Sequence, residues 1–583
     1  MIKPGEDRVS YGKILTPPLD YKLDFAIGTT YSLDLNALIG VPISLALSEE
    51  INDEFIQNPI VLLEGIRRAS DKFIIFNEAG QIKVPKVKNN IYSLMESGVN
   101  QVSLPNNKSF HPKLWLIKYI SDINEPIYRV IVLSRNLTFD RSWDMVVSLE
   151  GTENKKRTRK NDGIQDMLRF LLQYTTSEEK KGKIKEIIEE LYYVHFQTND
   201  NYYTDFNFYS FGVTKKSKEI SDLIGDYNEL LVISPFLSYK TLRDLYTKKG
   251  KKTLITRRKE LEKLDSQTII DFATYVMKED VVIGEKYLSE SEETDFKNQD
   301  IHAKFYGKSE GSNNTFFIGS ANCSNNAFNG NVEFLIELQY KKRGFYISSF
   351  IEDLFGDKED ENPFERVFRI EQTTAAEEEP CDKIEKAIKR LCRSKIFAKV
   401  INNDGKYSLS ITCDDIPSDV EFYISPLGSN KKAKLSKFVT IECLTISELG
   451  EFFKIEGRIK EDTLARVIKL PVEGIPANRD NEIFKSIISD KEAFFRYVAF
   501  MLSDNYLLEV LQQLEGKRAG WTKDNFSDNS IVIYENMLRT IAKEPEKIQE
   551  LRAIIDIIDD DKIIPKEFNE LYSVFEDVCK KVK

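Results

Sequence analysis

Residues 301–334 read IHAKFYGKSEGSNNTFFIGSANCSNNAFNGNVEF, and they decide the fold. His302 is followed two residues later by Lys304, then an apolar run ends in Gly319-Ser320-Ala321-Asn322, and Glu333 opens a second apolar run, EFLIEL. Residues two apart on extended chain project from the same face, so each pair presents both side chains together. Upstream the order recurs. His111 precedes Lys113, LSRN places Ser134 and Asn136, and Asp144 opens DMVVSL. The chain has three histidines, and two of them stand in His-x-Lys with Ser-x-Asn further on. One such pair means little where lysine is common; two with the same sequel point to a duplicated α/β unit.

These residue types suit phosphoryl transfer. An imidazole attacks phosphorus, ammonium and amide donors hold the non-bridging oxygens, and a carboxylate fixes each imidazole's tautomer. The expected catalytic residues are His111, Lys113, Ser134, Asn136, Asp144, His302, Lys304, Ser320, Asn322 and Glu333. His195, in an apolar segment without a partner lysine, is expected to pack on a helix. Trp115 and Trp143 could stack on bases, and core packing is the plainer expectation.

The second copy resembles the phospholipase D superfamily pattern GSxNxxxxAxxxNxE at every fixed position: Gly319, Ser320, Asn322, Ala327, Asn331 and Glu333. The resemblance covers about residues 60 to 150 and 225 to 340. It implies two half-domains sharing one active centre, a covalent phosphohistidine and no metal or other cofactor. It further implies His111 as nucleophile and His302 as general acid. The sequence departs from the family in three ways. Lys118 and Ser309 stand where an Asp usually follows the Lys, which leans away from lipases and towards the bacterial nuclease branch. Leu133 replaces the glycine before Ser134, and Asp144 follows its Asn by eight residues instead of eleven.

At 583 residues the chain exceeds one core, and 41% hydrophobic and 11% aromatic residues are ample for several. The expected fold class is α/β: two mixed-sheet half-domains, then a β-rich module and a helical module. Boundaries are expected at 1–150 for half-domain 1, 151–205 for a helical connector and 206–371 for half-domain 2. A linker and short helix (372–393), the β-rich module (394–475) and the helical module (476–583) follow. Residues 1 to about 372 should then fold as a separate piece.

No apolar run reaches a membrane span, no leader is recognised, and six scattered cysteines suggest free thiols, so a cytoplasmic protein is expected. No clustered metal-ligand set is legible. Net charge is −11, but basic runs occur at 155–160, 248–259 and 431–437. The middle run flanks the catalytic region, so Lys248, Lys249, Lys251, Lys252, Arg257, Arg258 and Lys259 are expected to track a nucleic-acid backbone. The expected function is a metal-independent nuclease cleaving DNA or RNA. A bacterial restriction or antiphage role is suggested by the appended C-terminal architecture. Nucleic acid is the expected partner, with a defence-system protein and self-association allowed for. The alternatives are a phospholipase or phosphatidyl transferase, for which no amphipathic surface helix is seen, and a non-catalytic nucleic-acid-binding subunit.

Overall fold

A computed structural model of the chain describes residues 9–582 except 10, 48–58, 87, 140–141, 199, 215–218, 248, 263, 279–300, 357–361, 370–378, 404, 503–525 and 544–545. Runs rich in β-branched and aromatic residues form the strands. In chain order the first part contributes β1 (Lys22–Thr30), β2 (Leu33–Asp34), β3 (Phe73–Glu78), β4 (Ile82–Lys83), β5 (Val99–Val102), β6 (Leu114–Ile120), β7 (Ile127–Leu133), β8 (Val146–Glu153) and β9 (Val194–Gln197). The next part contributes β10 (Tyr203–Phe211), β11 (Glu229–Ile233), β12 (Lys251–Thr256), β13 (Ala273–Met277), β14 (Phe305–Glu310), β15 (Asn313–Gly319), β16 (Glu333–Tyr340) and β17 (Phe364–Arg366).

Two mixed sheets result, ordered β5-β3-β1-β6-β7-β8-β9 and β10-β16-β15-β14-β11-β12-β13-β17. Their wiring matches. β1 and β11 each lie between a parallel neighbour (β3, β12) and an antiparallel one (β6, β14). The alternation of side chains tells which face each residue serves. Ile74 and Phe76 of β3 join a core shared with Phe305, Phe316 and Ile336 of the second sheet. Phe73 and Ile75 face the helices Leu35–Leu47 and Pro59–Ala69 on the other side. The two sheets therefore share one apolar layer.

The 162–193 region is helical as its period predicts, with helices Asp162–Leu171 and Glu178–Glu190 packed into the shared core. His195 departs from expectation. It lies on β9, half-buried at the sheet edge, where Nε2 lies 2.8 Å from the Lys156 carbonyl.

The C-terminal part opens with the helix Pro380–Leu391, then β18 (Ile396–Asn403), β19 (Lys406–Cys413), β20 (Glu421–Pro426), β21 (Ala433–Lys434), β22 (Phe438–Leu444), β23 (Phe452–Ile459), β24 (Asp462–Lys469) and β25 (Val472–Glu473). Helices of 3.6-residue period follow from Arg479 to Val582. This region touches the first sheet, and the linker expected at 372–380 lies mostly outside the described residues. β2 and β4 extend the sheet β24-β23-β20-β21 into one of six strands. Glu96 pairs with Arg479 at 2.6 Å, and the buried Glu64 accepts a hydrogen bond from Tyr497 at 2.7 Å. Breaking a buried ion pair of this kind costs about 3–5 kcal/mol. A shared sheet, an ion pair and a buried hydrogen bond thus join the first sheet to the C-terminal region.

Candidate active site

Both His-x-Lys pairs lie just before a strand, not within one: 111–113 lead into β6 and 301–304 into β14. Each arm crosses to the other sheet. Phe110 bridges Val332, and the His111 N–H donates to the Val332 carbonyl at 2.9 Å. Ile301 bridges Trp143, and the His302 N–H donates to the Trp143 carbonyl at 3.1 Å. Val332 and Trp143 each precede a carboxylate, so the imidazoles are delivered across the interface. His111 Nδ1 lies 2.9 Å from Glu333 Oε2, and His302 Nδ1 lies 3.0 Å from Asp144 Oδ1. A carboxylate accepts from Nδ1–H, which leaves Nε2 of each ring as the reacting nitrogen.

Register settles the position of Asp144. Leu133 pairs with Val146, and Gly319 with Leu335, so Asp144 occupies in the first sheet the place of Glu333 in the second. The shorter spacing follows because the second copy inserts the one-turn helix Asn325–Asn329. Gly319 has φ +155°, and a Cβ there would stand 2.2 Å from the Phe334 carbonyl oxygen. Glycine is required at that approach in the second copy, whereas Leu133 serves in the first.

The serines stand behind the histidines. Ser134 Oγ donates to Asp144 Oδ1 at 2.9 Å and Ser320 Oγ to Glu333 Oε2 at 2.5 Å. Both are fully buried, so they orient carboxylates and do not face a substrate. The amides differ. Asn136 Oδ1 accepts from the Ser32 N–H at 3.4 Å, while Asn322 Oδ1 is buried without a hydrogen-bond partner. Two residues absent from the sequence reading support these loops. Thr30 Oγ1 accepts from Leu137 N, and Ser234 Oγ from Cys323 N, both at 2.9 Å, one residue beyond each Asn. A short hydroxyl at the end of each sheet's central strand was the available signal.

Lys113 and Lys304 are buried between the arms. Lys113 Nζ lies 3.0 Å from His111 Nε2, and Lys304 Nζ donates to the His302 carbonyl at 2.5 Å and to the Ser134 carbonyl at 3.4 Å. Burial pushes Lys113 down to about 8, against the attraction of Glu333 and Asp144. Lys304 also falls well below the ordinary lysine range, by burial and by the charge of Lys113. Burial and the neighbouring ammonium groups lower His111 to about 4 and His302 to about 3, so both rings are neutral at pH 7. Burial alone would raise Asp144, but its bond to His302 and the charge of Lys304 hold it well below the usual carboxylate range. Two lysines and two imidazoles, each imidazole backed by a carboxylate, thus converge between the sheets.

The basic run does not form one stripe beside this site. Lys249 and Lys251 stand at the start of β12, whereas Arg257 follows its far end. Lys252 is buried and donates to the Thr247 and Gly250 carbonyls at 2.6 and 2.7 Å, and Arg258 pairs with Glu365. Lys259 is exposed on the turn that follows, and Lys248 lies outside the described residues. Of the run, Arg257 adjoins the chemistry: Nε donates to the Ile301 carbonyl at 2.9 Å, and its guanidinium lies 5.1 Å from the Phe236 ring centre. A strand threads the run, which separates its charges.

The two residues that stand where an Asp was looked for, Lys118 and Ser309, have structural employment. Lys118 pairs with Glu190 at 2.5 Å, and Ser309 Oγ donates to Asn314 at 2.6 Å. Trp115 is core, packed over Gly28, and Trp143 leans edge-on against Phe364. Among the described residues no three His, Cys, Asp or Glu side chains gather as a ligand set, and no helix is long and apolar enough to cross a membrane.

No protein-family model matches the chain, and no curated protein matches it in sequence. Among solved structures, yeast tyrosyl-DNA phosphodiesterase aligns over 58% of this chain and 87% of its own, at 12% identity and a TM-score of 0.37. A mutant form of the same enzyme aligns over 57% and 84%, at 11% identity and 0.35. Polyphosphate kinase from Porphyromonas gingivalis aligns over 59% of this chain and 43% of its own, at 12% identity and 0.31.

Proposed function

We propose that this chain is a phosphodiesterase of the phospholipase D type that cleaves nucleic acid through a phosphohistidine. The observation that carries the reading is the crossed pair of His–carboxylate contacts, His111 with Glu333 and His302 with Asp144, around two buried lysines.

In this reading the phosphodiester's non-bridging oxygens take the place that Lys113, Lys304 and Asn322 Nδ2 leave for an anion. His111 Nε2, neutral and with Nδ1–H held by Glu333, attacks phosphorus. The P–O bond to the leaving oxygen breaks as His302 Nε2–H protonates it. His302 is neutral in the empty site, so its proton arrives with substrate: the phosphate charge offsets the two ammonium groups and lifts the imidazole's proton affinity. A water then gives its proton to His302 and attacks phosphorus, which breaks the P–N bond and restores His111. Two lysines supply the charge stabilisation a metal would otherwise bring, so cleavage is expected to persist in excess EDTA.

Nucleic acid is favoured over lipid by Phe236, 44% exposed beside Arg257, whose Nε holds the residue before His302. Aromatic faces beside a cation suit bases flanking a phosphate. The deciding experiment offers labelled single- and double-stranded DNA, RNA and phosphatidylcholine to the purified protein, with and without EDTA. Cleavage of a polynucleotide that survives EDTA and is lost in both His111→Ala and His302→Ala is expected. Cleavage of lipid alone, or dependence on magnesium, would refute the reading. A mass increase on the His111 peptide identifies the nucleophile, and one on the His302 peptide exchanges the roles. A role in antiphage defence is a further part of the proposal, suggested by the appended architecture. It is tested by phage plating on cells with the wild-type or His302→Ala chain.

A further inference from the structure

The matching registers allow the sheets to be compared residue by residue. Gly28 pairs with Trp115, and Ile233 with Phe305, which makes Thr29 the counterpart of Ile233. Thr29 pairs with Phe76, and Ile233 with Ile255, so Glu78 is the counterpart of Arg257. The two do the same mechanical work. Glu78 Oε2 accepts from the N–H of Phe110 at 2.6 Å, and Arg257 Nε donates to the carbonyl of Ile301 at 2.9 Å. Each grips the residue before a motif histidine, but one is an acid and the other a base. A site that receives an anion has a cation beside His302 and a buried carboxylate beside His111.

The C-terminal region corrects that asymmetry. Lys389, on the helix Pro380–Leu391, places Nζ 3.0 Å from Glu78 Oε1, donates to Ser109 Oγ at 3.0 Å, and lies 5.1 Å from the centre of the Tyr31 ring. The Tyr31 ring in turn lies 5.1 Å from the His111 ring. The Ser109 N–H donates to Asn331 Oδ1 at 3.0 Å, and Asn331 Nδ2 donates to Glu333 Oε1 at 3.3 Å. Lys389 thus reaches the His111 ring in two contacts through Tyr31, and Glu333 in three through Ser109 and Asn331. Lys389 and Glu78 side chains are 17% and 5% exposed, so solvent screens their charges weakly.

We propose that Lys389 is a positioning residue of the His111 half of the site: it neutralises Glu78 and fixes Ser109, Phe110 and Tyr31 around the imidazole. The C-terminal region is then part of the phosphate site, and a chain ending near residue 372 lacks it. The proposal rests on the phosphodiesterase reading for its catalytic consequence, but its charge argument can be read without turnover. Lys389 does not carry the docking of its helix. Gln81 donates to Glu385 at 2.7 Å, Arg393 to Asn107 at 3.1 Å, and Ile384, Ile388 and Leu391 are buried. Lys389→Met should therefore fold.

The chain's three histidines permit imidazole NMR on the full-length protein, with each signal assigned by its own variant. The groups facing His111 are Glu333, Lys113, Lys304 and Tyr31, with Glu78 and Lys389 behind them. In Lys389→Met the buried, uncompensated charge of Glu78 should raise the His111 midpoint by about half a pH unit or more, the scale of one charge at roughly 10 Å. His302 should not move, and Glu78→Gln in the Lys389→Met background should return His111 to its wild-type value. Turnover of bis-p-nitrophenyl phosphate should fall about ten-fold or more in Lys389→Met. It should hold in Lys389→Arg and largely recover in the double variant. An unmoved His111 midpoint in Lys389→Met, or a double variant no better than Lys389→Met, overturns the proposal. Absence of wild-type turnover on any diester instead overturns the phosphodiesterase reading and leaves the NMR comparison to decide this one.

Discussion

Lys113→Met should make the protein more stable and nearly inactive. Lys113 is 1% exposed and pushed from 10.5 to about 8, chiefly by burial. The sign follows from linkage: a lysine whose folded value lies below its unfolded value holds its proton less tightly when folded. The native state is therefore penalised below about pH 8, and the penalty fades as pH rises towards 10.5. At 1.36 kcal/mol per pH unit the displacement corresponds to about 3 kcal/mol at pH 7. Methionine keeps the length and removes the charge, while the contacts to His111 Nε2 at 3.0 Å and to the His111 carbonyl at 3.2 Å are lost, at about 1 kcal/mol each. A net gain of about 1 kcal/mol remains, with a further contribution from relieving Lys304, which Lys113 repels. Losing a donor to the transition-state phosphate should lower turnover by about 10²–10³. Thermal melts at pH 7 and pH 9.5 test the stability half: the variant should melt higher at pH 7, and the gap should narrow at pH 9.5. A variant that melts lower than wild type at pH 7, by a margin indifferent to pH, would refute the electrostatic reasoning.

The rate should fall above about pH 8 as Lys113 loses its proton, and Lys113→Arg should move that limb to higher pH; a pH–rate profile on a diester decides it. Asp144→Asn and Glu333→Gln should each lower turnover by about 10²–10⁴, because an amide holds the wrong imidazole tautomer. Ser134→Ala, which removes the donor behind Asp144 and the acceptor of the Met145 N–H at 2.8 Å but leaves the carboxylate on the ring, should cost far less in the same assay. Gly319→Ala should destabilise by about 2–3 kcal/mol, since its Cβ meets the Phe334 carbonyl in a backbone region L residues avoid. A thermal melt of the variant against wild type checks it.

Much of the site was legible because its chemistry is local in sequence. His-x-Lys, Ser-x-Asn and the opening acid each fall within a strand's length, and two copies in a histidine-poor chain made them conspicuous. Strands such as FIIF, LWLIKY and FLIEL were legible because short β-branched and aromatic runs can serve few other purposes. The helix Leu35–Leu47 was not, because it is apolar on every side and carries Pro42, so it has no amphipathic period to read. β9 was missed because VHFQ is too short to alternate convincingly.

The sequence by itself determined which side chains are the candidates for the proposed chemistry and that there are two sets of them. Only the tertiary structure decided which histidine meets which carboxylate. The partners His111 and Glu333 lie on different sheets, 222 positions apart, and His302 and Asp144 158 apart. Pairing across such distances is set by sheet register and the packing of one apolar layer, which no local pattern encodes. The same holds for Glu78 and Lys389. A buried acid on one strand and a lysine on a distant helix look unremarkable in sequence, and they become a charge pair when the C-terminal region docks on the first sheet.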